Sequence, residues 1–250
     1  ASVIGIPLLA LLAELGGWRL PFLVVGIVMA LVLLLNWFWF PKVENPGSRS
    51  LSVFSRYRDL LSIPVFRAAF AVNLTQRMAF FGLSGYLAAY LIDSYNINLA
   101  QVAIPLAIVG VGRVIGSYMA GPVGNRGNRM TIISVASLAG GGLALLLLSI
   151  DVPMWAVVGL ATVSVGLLSI GWPVFMTFGT EISGRSRATS VGLLGASNQV
   201  SGVCGAAVGG VLLAWFGFPG IGYLCLGTVA VSSLISALFM REAGEKLIID

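Results

Sequence analysis

The chain contains no histidine, only two cysteines, and charged side chains at just 9% of its 250 positions. Cys204 and Cys225 each stand alone within an apolar stretch and read as small packing residues, so no zinc or haem ligand set is available. No nucleophile is spaced with a base, and neither an enzyme nor a bound cofactor is expected. Acidic residues are rarer than basic ones, nine against fourteen. Glu14, Asp93, Asp151 and Glu181 fall at the ends of apolar stretches or between them, never deep inside. So little charge excludes a water-soluble domain. At 58% hydrophobic residues and a mean hydropathy of +1.00, the sequence is that of an integral membrane protein in a lipid bilayer.

Seven stretches are long enough to cross a bilayer as helices: 20–40, 65–92, 99–120, 130–150, 153–178, 188–215 and 219–240. Five of them carry no charge. Residues 1–13 resemble the second part of an eighth span; the chain lacks an initiator Met, so its start is expected to be truncated. The opening segment has no basic n-region and is not a cleavable signal. Thirty-two glycines and several internal prolines suit packed membrane helices and argue against a β-barrel. The net charge of +5 would permit a nucleic-acid partner, but its placement decides against one. Lys42, Arg49, Arg56, Arg58 and Arg67 cluster around one gap, Arg126 and Arg129 in a second, Arg185 and Arg187 in a third, and Arg241 and Lys246 in the tail. The alternate gaps hold only Arg19. This asymmetry predicts a cytoplasmic C-terminus.

The run from Gly5 to Ala30 returns loosely from Gly205 to Val231. Gly5 pairs with Gly205, Leu12 with Leu212, Gly17 with Gly217 and, after a one-residue slip, Phe22 with Tyr223 and Gly26 with Gly227. Each copy reads as apolar helix, turn, apolar helix. Such an echo points to two parallel halves. The longer gap 41–64 is then the connection between halves, and Leu51, Phe54, Tyr57 or Arg58, and Leu61 recur at helical spacing and predict a short amphipathic helix on the cytoplasmic face.

Three places carry a family resemblance. The first is GIPLLALLAELGGWRLPF (5–22), where Gly5, Pro7, Gly17, Trp18 and Arg19 match a fifth-span motif, with Ala10 and Leu11 in place of its glycine pair. The second is GPVGNRGNRM (121–130), which is similar to a Gly-x-x-x-Asp-Arg-x-Gly-Arg loop, with Asn125 for the Asp and Asn128 for the Gly. The third is the long basic central connection. Together they resemble the major facilitator superfamily, in its twelve-span drug and metabolite efflux branch. The resemblance implies an all-α membrane protein, a helical bundle comprising the C-terminal six-helix half and part of the N-terminal half. Residues 1–40 would end the N-terminal half (spans five and six), 41–64 form the central cytoplasmic loop, 65–240 supply spans seven to twelve, and 241–250 form the tail. It implies alternating-access transport in a bacterial inner membrane, with efflux of a small organic solute or drug by proton antiport. Uptake by symport, anion exchange, and a non-transporting membrane scaffold with a membrane-protein partner remain alternatives.

Arg77 is the sharpest single residue. It lies twelve residues into its stretch, or roughly 18 Å at 1.5 Å per residue, near the middle of the hydrocarbon core. A guanidinium at that depth must be paired or hydrated. Asn73, Gln76, Phe80 and Ser84 share its helix face, and by resemblance this span lines the central cavity. Arg77 then serves either substrate binding or an inter-helix clamp. Its partner would be an anionic substrate, a carboxylate outside this chain, or the amides Asn198 and Gln199 at similar depth. Trp172 and Pro173 predict a kink with a gating or packing tryptophan. Arg113 is expected to snorkel toward the cytoplasmic surface. Gly112 and Gly116, and Ser201, Gly205 and Gly209, repeat every four residues and predict close helix approach. Gly121, Asn125, Arg126 and Arg129 form the short loop that, by resemblance, latches the cytoplasmic gate.

Overall fold

The computed structural model describes residues 2–39 and 53–240, and these are helical almost throughout. Lys42, Arg49, Leu51, Arg241 and Lys246 lie outside the described residues. Among the described residues ten α-helices follow one another: α1 (Ser2–Gly16), α2 (Arg19–Trp39), α3 (Val53–Ser62), α4 (Pro64–Tyr95), α5 (Ala103–Gly124), α6 (Arg129–Ser149), α7 (Met154–Ser169), α8 (Gly171–Ile182), α9 (Arg187–Phe216) and α10 (Phe218–Phe239). Among the described residues, six helical segments are long and apolar enough to cross a membrane, α7 and α8 counting as one 29-residue span. The protein is therefore a multi-pass, all-α membrane bundle. The 32-residue α4 is long enough but falls outside those six, against the seven expected. Its polar residues dilute its apolar content, and it buries Asn73, Gln76 and Arg77 against other helices.

Local chemistry sets the helix ends. Pro64 starts α4 where its missing N–H costs nothing, and Asn96 ends it at φ 51°, a left-handed conformation that Asn tolerates. Before α5, Asn98 and Gln101 bond reciprocally, the Gln101 N–H to Asn98 Oδ1 at 2.8 Å and the Asn98 N–H to Gln101 Oε1 at 3.0 Å. The α1–α2 and α9–α10 turns pivot on Gly17 at φ 71° and Gly217 at φ 66°. The two glycines aligned in the sequence echo thus share a positive φ that favours glycine. The amphipathic α3 forms, but it buries Leu60 and leaves Leu61 exposed, one residue off the predicted face.

α4 is the centre of the bundle, packed by α7, α8, α9 and α10, while α5 and α6 flank α7. The core has two apolar clusters. One gathers Phe80, Leu87, Leu91, Leu147, Val157 and Ile221; the other gathers Val72, Ile133, Phe175, Phe178 and Met240. Along α4, α6 and α10, buried polar groups fall at the boundary: Gln76 and Arg77 on α4, Ser137 on α6, Ser232 on α10. The bundle therefore has a polar waist. Outside it, α1 packs on α5, and α2 buries none of its residues.

Glycine sets the closest helix approaches. A Cβ on Gly112 would overlap the Thr162 carbonyl oxygen, and one on Gly116 the Gly166 carbonyl, so α5 and α7 meet backbone to backbone. A Cβ on Gly205 would sit 3.0 Å from the Met78 oxygen of α4, and one on Gly209 would press on the Tyr86 ring at 2.6 Å. Gly5 has nothing within 4 Å, and Pro7 lies in the same helix α1.

Candidate functional site: a polar waist around Arg77

The waist is built on a main-chain acceptor beside a helix break near Pro173. A proline cannot donate to the carbonyl four residues earlier, here Ser169, and its ring crowds that turn. The α7–α8 span breaks at Ile170, and Gly171 follows it as a buried residue whose added Cβ would press on the Gln76 amide at 3.3 Å. Beside the break, the Leu168 carbonyl accepts a hydrogen bond from Arg77 Nη2 and another from Gln76 Nε2 at 2.7 Å. Arg77 Nε donates to Gln76 Oε1 at 2.9 Å, and Gln76 Nε2 also approaches Ser137 Oγ at 3.4 Å. The Arg77 guanidinium stacks on the Phe80 ring, 4.5 Å from its centroid.

Arg77 is 3% exposed. Its partners are Gln76, a main-chain carbonyl and Phe80, not Asn198, Gln199 or any carboxylate of the described residues. A centrally placed Arg costs about 2.5–3.5 kcal/mol to insert, and hydrogen bonds from a charged donor contribute about 1.5–3 kcal/mol each, so two such bonds offset that cost. In this conformation the guanidinium clamps α4 to α7.

The rest of the predicted stripe divides. Asn73 is fully buried and donates to Ser197 Oγ of α9 at 2.7 Å, while its Oδ1 has no partner. Ser201 Oγ donates to the Leu74 carbonyl at 2.8 Å and Ser232 Oγ to the Val72 carbonyl at 3.1 Å, tying α9 and α10 to α4. Ser84 is exposed and stands apart from the waist. Trp172 is half-buried. Asn198 and Gln199 bond weakly to each other at 3.4 Å and do not join Arg77, because their side chains leave α9 on a different face from Ser197.

Arg113 departs most from expectation. Its guanidinium lies over the Phe80 ring, 5.0 Å from the centroid, on the same ring as Arg77. Sequence spacing concealed this, because Arg113 and Phe80 sit on different helices and no local pattern relates them.

The predicted loop is also shorter than expected. α5 continues through Gly121 and Pro122 to Gly124, leaving Asn125–Asn128 as the turn, with Asn125 and Arg126 exposed. Arg129 opens α6 and pairs with Glu181 in the last turn of α8, Nη2 to Oε2 at 2.5 Å and Nη1 to Oε1 at 3.2 Å. Arg129 also donates to the Gly124 carbonyl at 3.3 Å and stacks on Phe178 at 5.0 Å. Nothing in the sequence assigned Glu181 to this partner, since 52 residues separate them. The pair is part-exposed, with side chains 17% and 40% accessible, so its worth to the fold is about 0.5–1 kcal/mol. Glu181→Gln is expected to shift the melting temperature of the purified full-length protein by no more than about 3 °C, measured by thermal denaturation in detergent. A larger drop would show that the pair carries the fold.

The sequence profile of the Major Facilitator Superfamily matches residues 1–191. A protein called "Probable sugar efflux transporter" from Mannheimia succiniciproducens is 24% identical over 242 residues, covering 92% of this chain and 58% of its own length. "Inner membrane transport protein YdhP" from Escherichia coli O157:H7 is 23% identical over 246 residues, 95% of this chain and 61% of its own length. "Uncharacterized MFS-type transporter YceJ" from Bacillus subtilis is 24% identical over 143 residues, 56% of this chain and 36% of its own. The chain thus spans about three-fifths of the length of the first two. The profile match over most of the sequence and the all-α membrane bundle agree: this chain belongs to the major facilitator superfamily.

Proposed function

We propose that the chain is the larger part of a secondary active transporter that exports a small organic solute by alternating access in a bacterial inner membrane. The observation that carries the reading is the polar waist: Arg77, Gln76 and Asn73 are retained at mid-span in an otherwise apolar bundle, where each costs free energy unless it serves function or specificity. The names of the relatives, one a probable sugar efflux transporter, support export. Residues 65–240 are assigned as the C-terminal six-span half, formed by α4, α5, α6, α7 with α8, α9 and α10. Residues 1–40 end the N-terminal half, 41–64 connect the two on the cytoplasmic side, and 241–250 form a cytoplasmic tail. The Arg129–Glu181 pair is assigned to a cytoplasmic latch between the α5–α6 turn and α8.

Proton antiport is the favoured coupling, and it requires a titratable carboxylate within the membrane. The described helices carry their acids at the ends, so that group is sought in the two-fifths of the relatives' length that this chain does not match. The test uses everted vesicles holding the full-length protein under an inward-acid pH gradient, read with a pH-sensitive dye. Adding a transported solute is expected to collapse part of the gradient. Solute accumulation that neither consumes the gradient nor responds to its removal would replace antiport with uniport or exchange.

A further inference from the structure

One end of the bundle carries a basic cover. Asn73 meets Ser197, each about ten residues into its helix, so α4 and α9 begin at the same end. α3 packs against both of them. It turns Tyr57 and Leu60 inward, half-buried and buried, and leaves Arg58 and Leu61 exposed one turn apart on its outer face, Leu61 at 39%. Arg67, the fourth residue of α4, and Arg187, the first of α9, are exposed as well. Asp59 is the exposed acid of α3, and the three arginines outweigh it. The flanking sequence has the same sign, since positions 41–67 hold five basic residues against Glu44 and Asp59.

An exposed apolar residue beside a cation, at the level where membrane spans end, is the layout of a helix lying in the membrane interface. There an arginine reaches the headgroups while a leucine dips into the acyl boundary. A phosphodiester supplies the charge and the oxygens that a guanidinium fork binds in pairs. A soluble acidic partner would account for the arginines but not for Leu61 among them.

We propose that α3, with Arg58, Arg67 and Arg187, is a docking surface for anionic phospholipid headgroups. Arg58 and Leu61 set the depth of the helix in the interface, and Arg67 and Arg187 hold headgroups at the starts of α4 and α9. The inference needs only the membrane embedding of the bundle, so it stands or falls apart from the transport reading.

The experiment titrates the purified full-length protein in detergent with dioleoyl phosphatidylglycerol or dioleoyl phosphatidylcholine and reads the melting temperature. Phosphatidylglycerol is expected to raise it at a concentration at least tenfold lower than phosphatidylcholine. The difference should shrink between about 0.1 M and 1 M salt, as the screening length falls from about 10 Å to 3 Å. Each arginine near an anionic surface strengthens binding roughly fivefold, so Arg58→Gln, Arg67→Gln and Arg187→Gln combined should weaken the phosphatidylglycerol response at least tenfold. Lysine at the same three positions keeps the charge and should keep most of the response. Arg19→Gln, in the α1–α2 turn, is the control and should leave the titration unchanged. The three replaced arginines are exposed, so the variants should fold, which size-exclusion chromatography checks; the wild-type comparison of the two lipids tests the proposal without them. Equal responses to the two lipids, or a phosphatidylglycerol preference that survives the triple glutamine variant, overturn it. So does equal protection by glycerol 1-phosphate, which would make the patch a site for free phosphate, or by polyglutamate, which would make it a site for an acidic protein.

Discussion

Replacing Arg77 with alanine is expected to lower the melting temperature of the purified full-length protein by about 10 °C. The substitution removes charge-assisted hydrogen bonds to the Leu168 carbonyl and Gln76 Oε1, and it strips the cation from Phe80. Two bonds of about 1.5–3 kcal/mol each, less the roughly 2.5–3.5 kcal/mol no longer spent burying the charge, would nearly cancel if nothing else changed. They do not cancel, because the acceptors stay buried. The Leu168 carbonyl keeps Gln76 as a donor, but Gln76 Oε1 is left bare at a cost of about 1–3 kcal/mol, and the vacated volume adds a cavity penalty of similar size. The sum, about 3–4 kcal/mol, corresponds to roughly 10 °C at 2–4 °C per kcal/mol for a domain of this size. Arg77→Lys should fall between, since a point charge cannot span both acceptors. Flux in proteoliposomes is expected to fall with the clamp. Wild-type melting in Arg77→Ala would mean that the clamp carries no stability, and unchanged flux would make it purely structural.

The second large effect is expected at Gly116→Val. A Cβ there already overlaps the Gly166 backbone of α7, and neither backbone can rotate away as a flexible side chain would. α5 must separate from α7 along the seam that Gly112 also closes, so overpacking exceeds the usual 1–3 kcal/mol and properly folded protein should be largely lost. Gly159→Ala is the control, since nothing lies within 4 Å of its Cβ position and helix propensity favours Ala. Size-exclusion profiles and yield of folded protein from membranes provide the readout. A Gly116→Val protein that is monodisperse at normal yield would show that the seam is looser than drawn.

Much of the bundle was legible because membrane helices announce themselves. An apolar run of about twenty residues has one stable conformation in lipid. Pro173 announced a break, Gly17 and Gly217 announced matching turns, and the every-fourth glycines of α5 and α9 announced close approach, because each depends on covalent geometry within a few residues. The limit was reached at α4. Its polar stripe could be drawn on a helical wheel, but a wheel does not reveal what stands opposite. Asn73 met Ser197, Gln76 met Ser137, and Arg77 met a carbonyl, an acceptor that every residue carries and that no sequence pattern distinguishes.

Sequence alone determined the solvent, the helices, their approximate ends and the burial of Arg77, since these follow from transfer free energy and backbone hydrogen bonding along the chain. Only the tertiary structure decided which partners satisfy that buried charge. It turned Arg113 inward onto Phe80 and set Arg129 against Glu181. Both pairings join residues on separate helices, and the azimuth of one helix about its axis relative to another is fixed by packing of the whole bundle, not by any local run of residues.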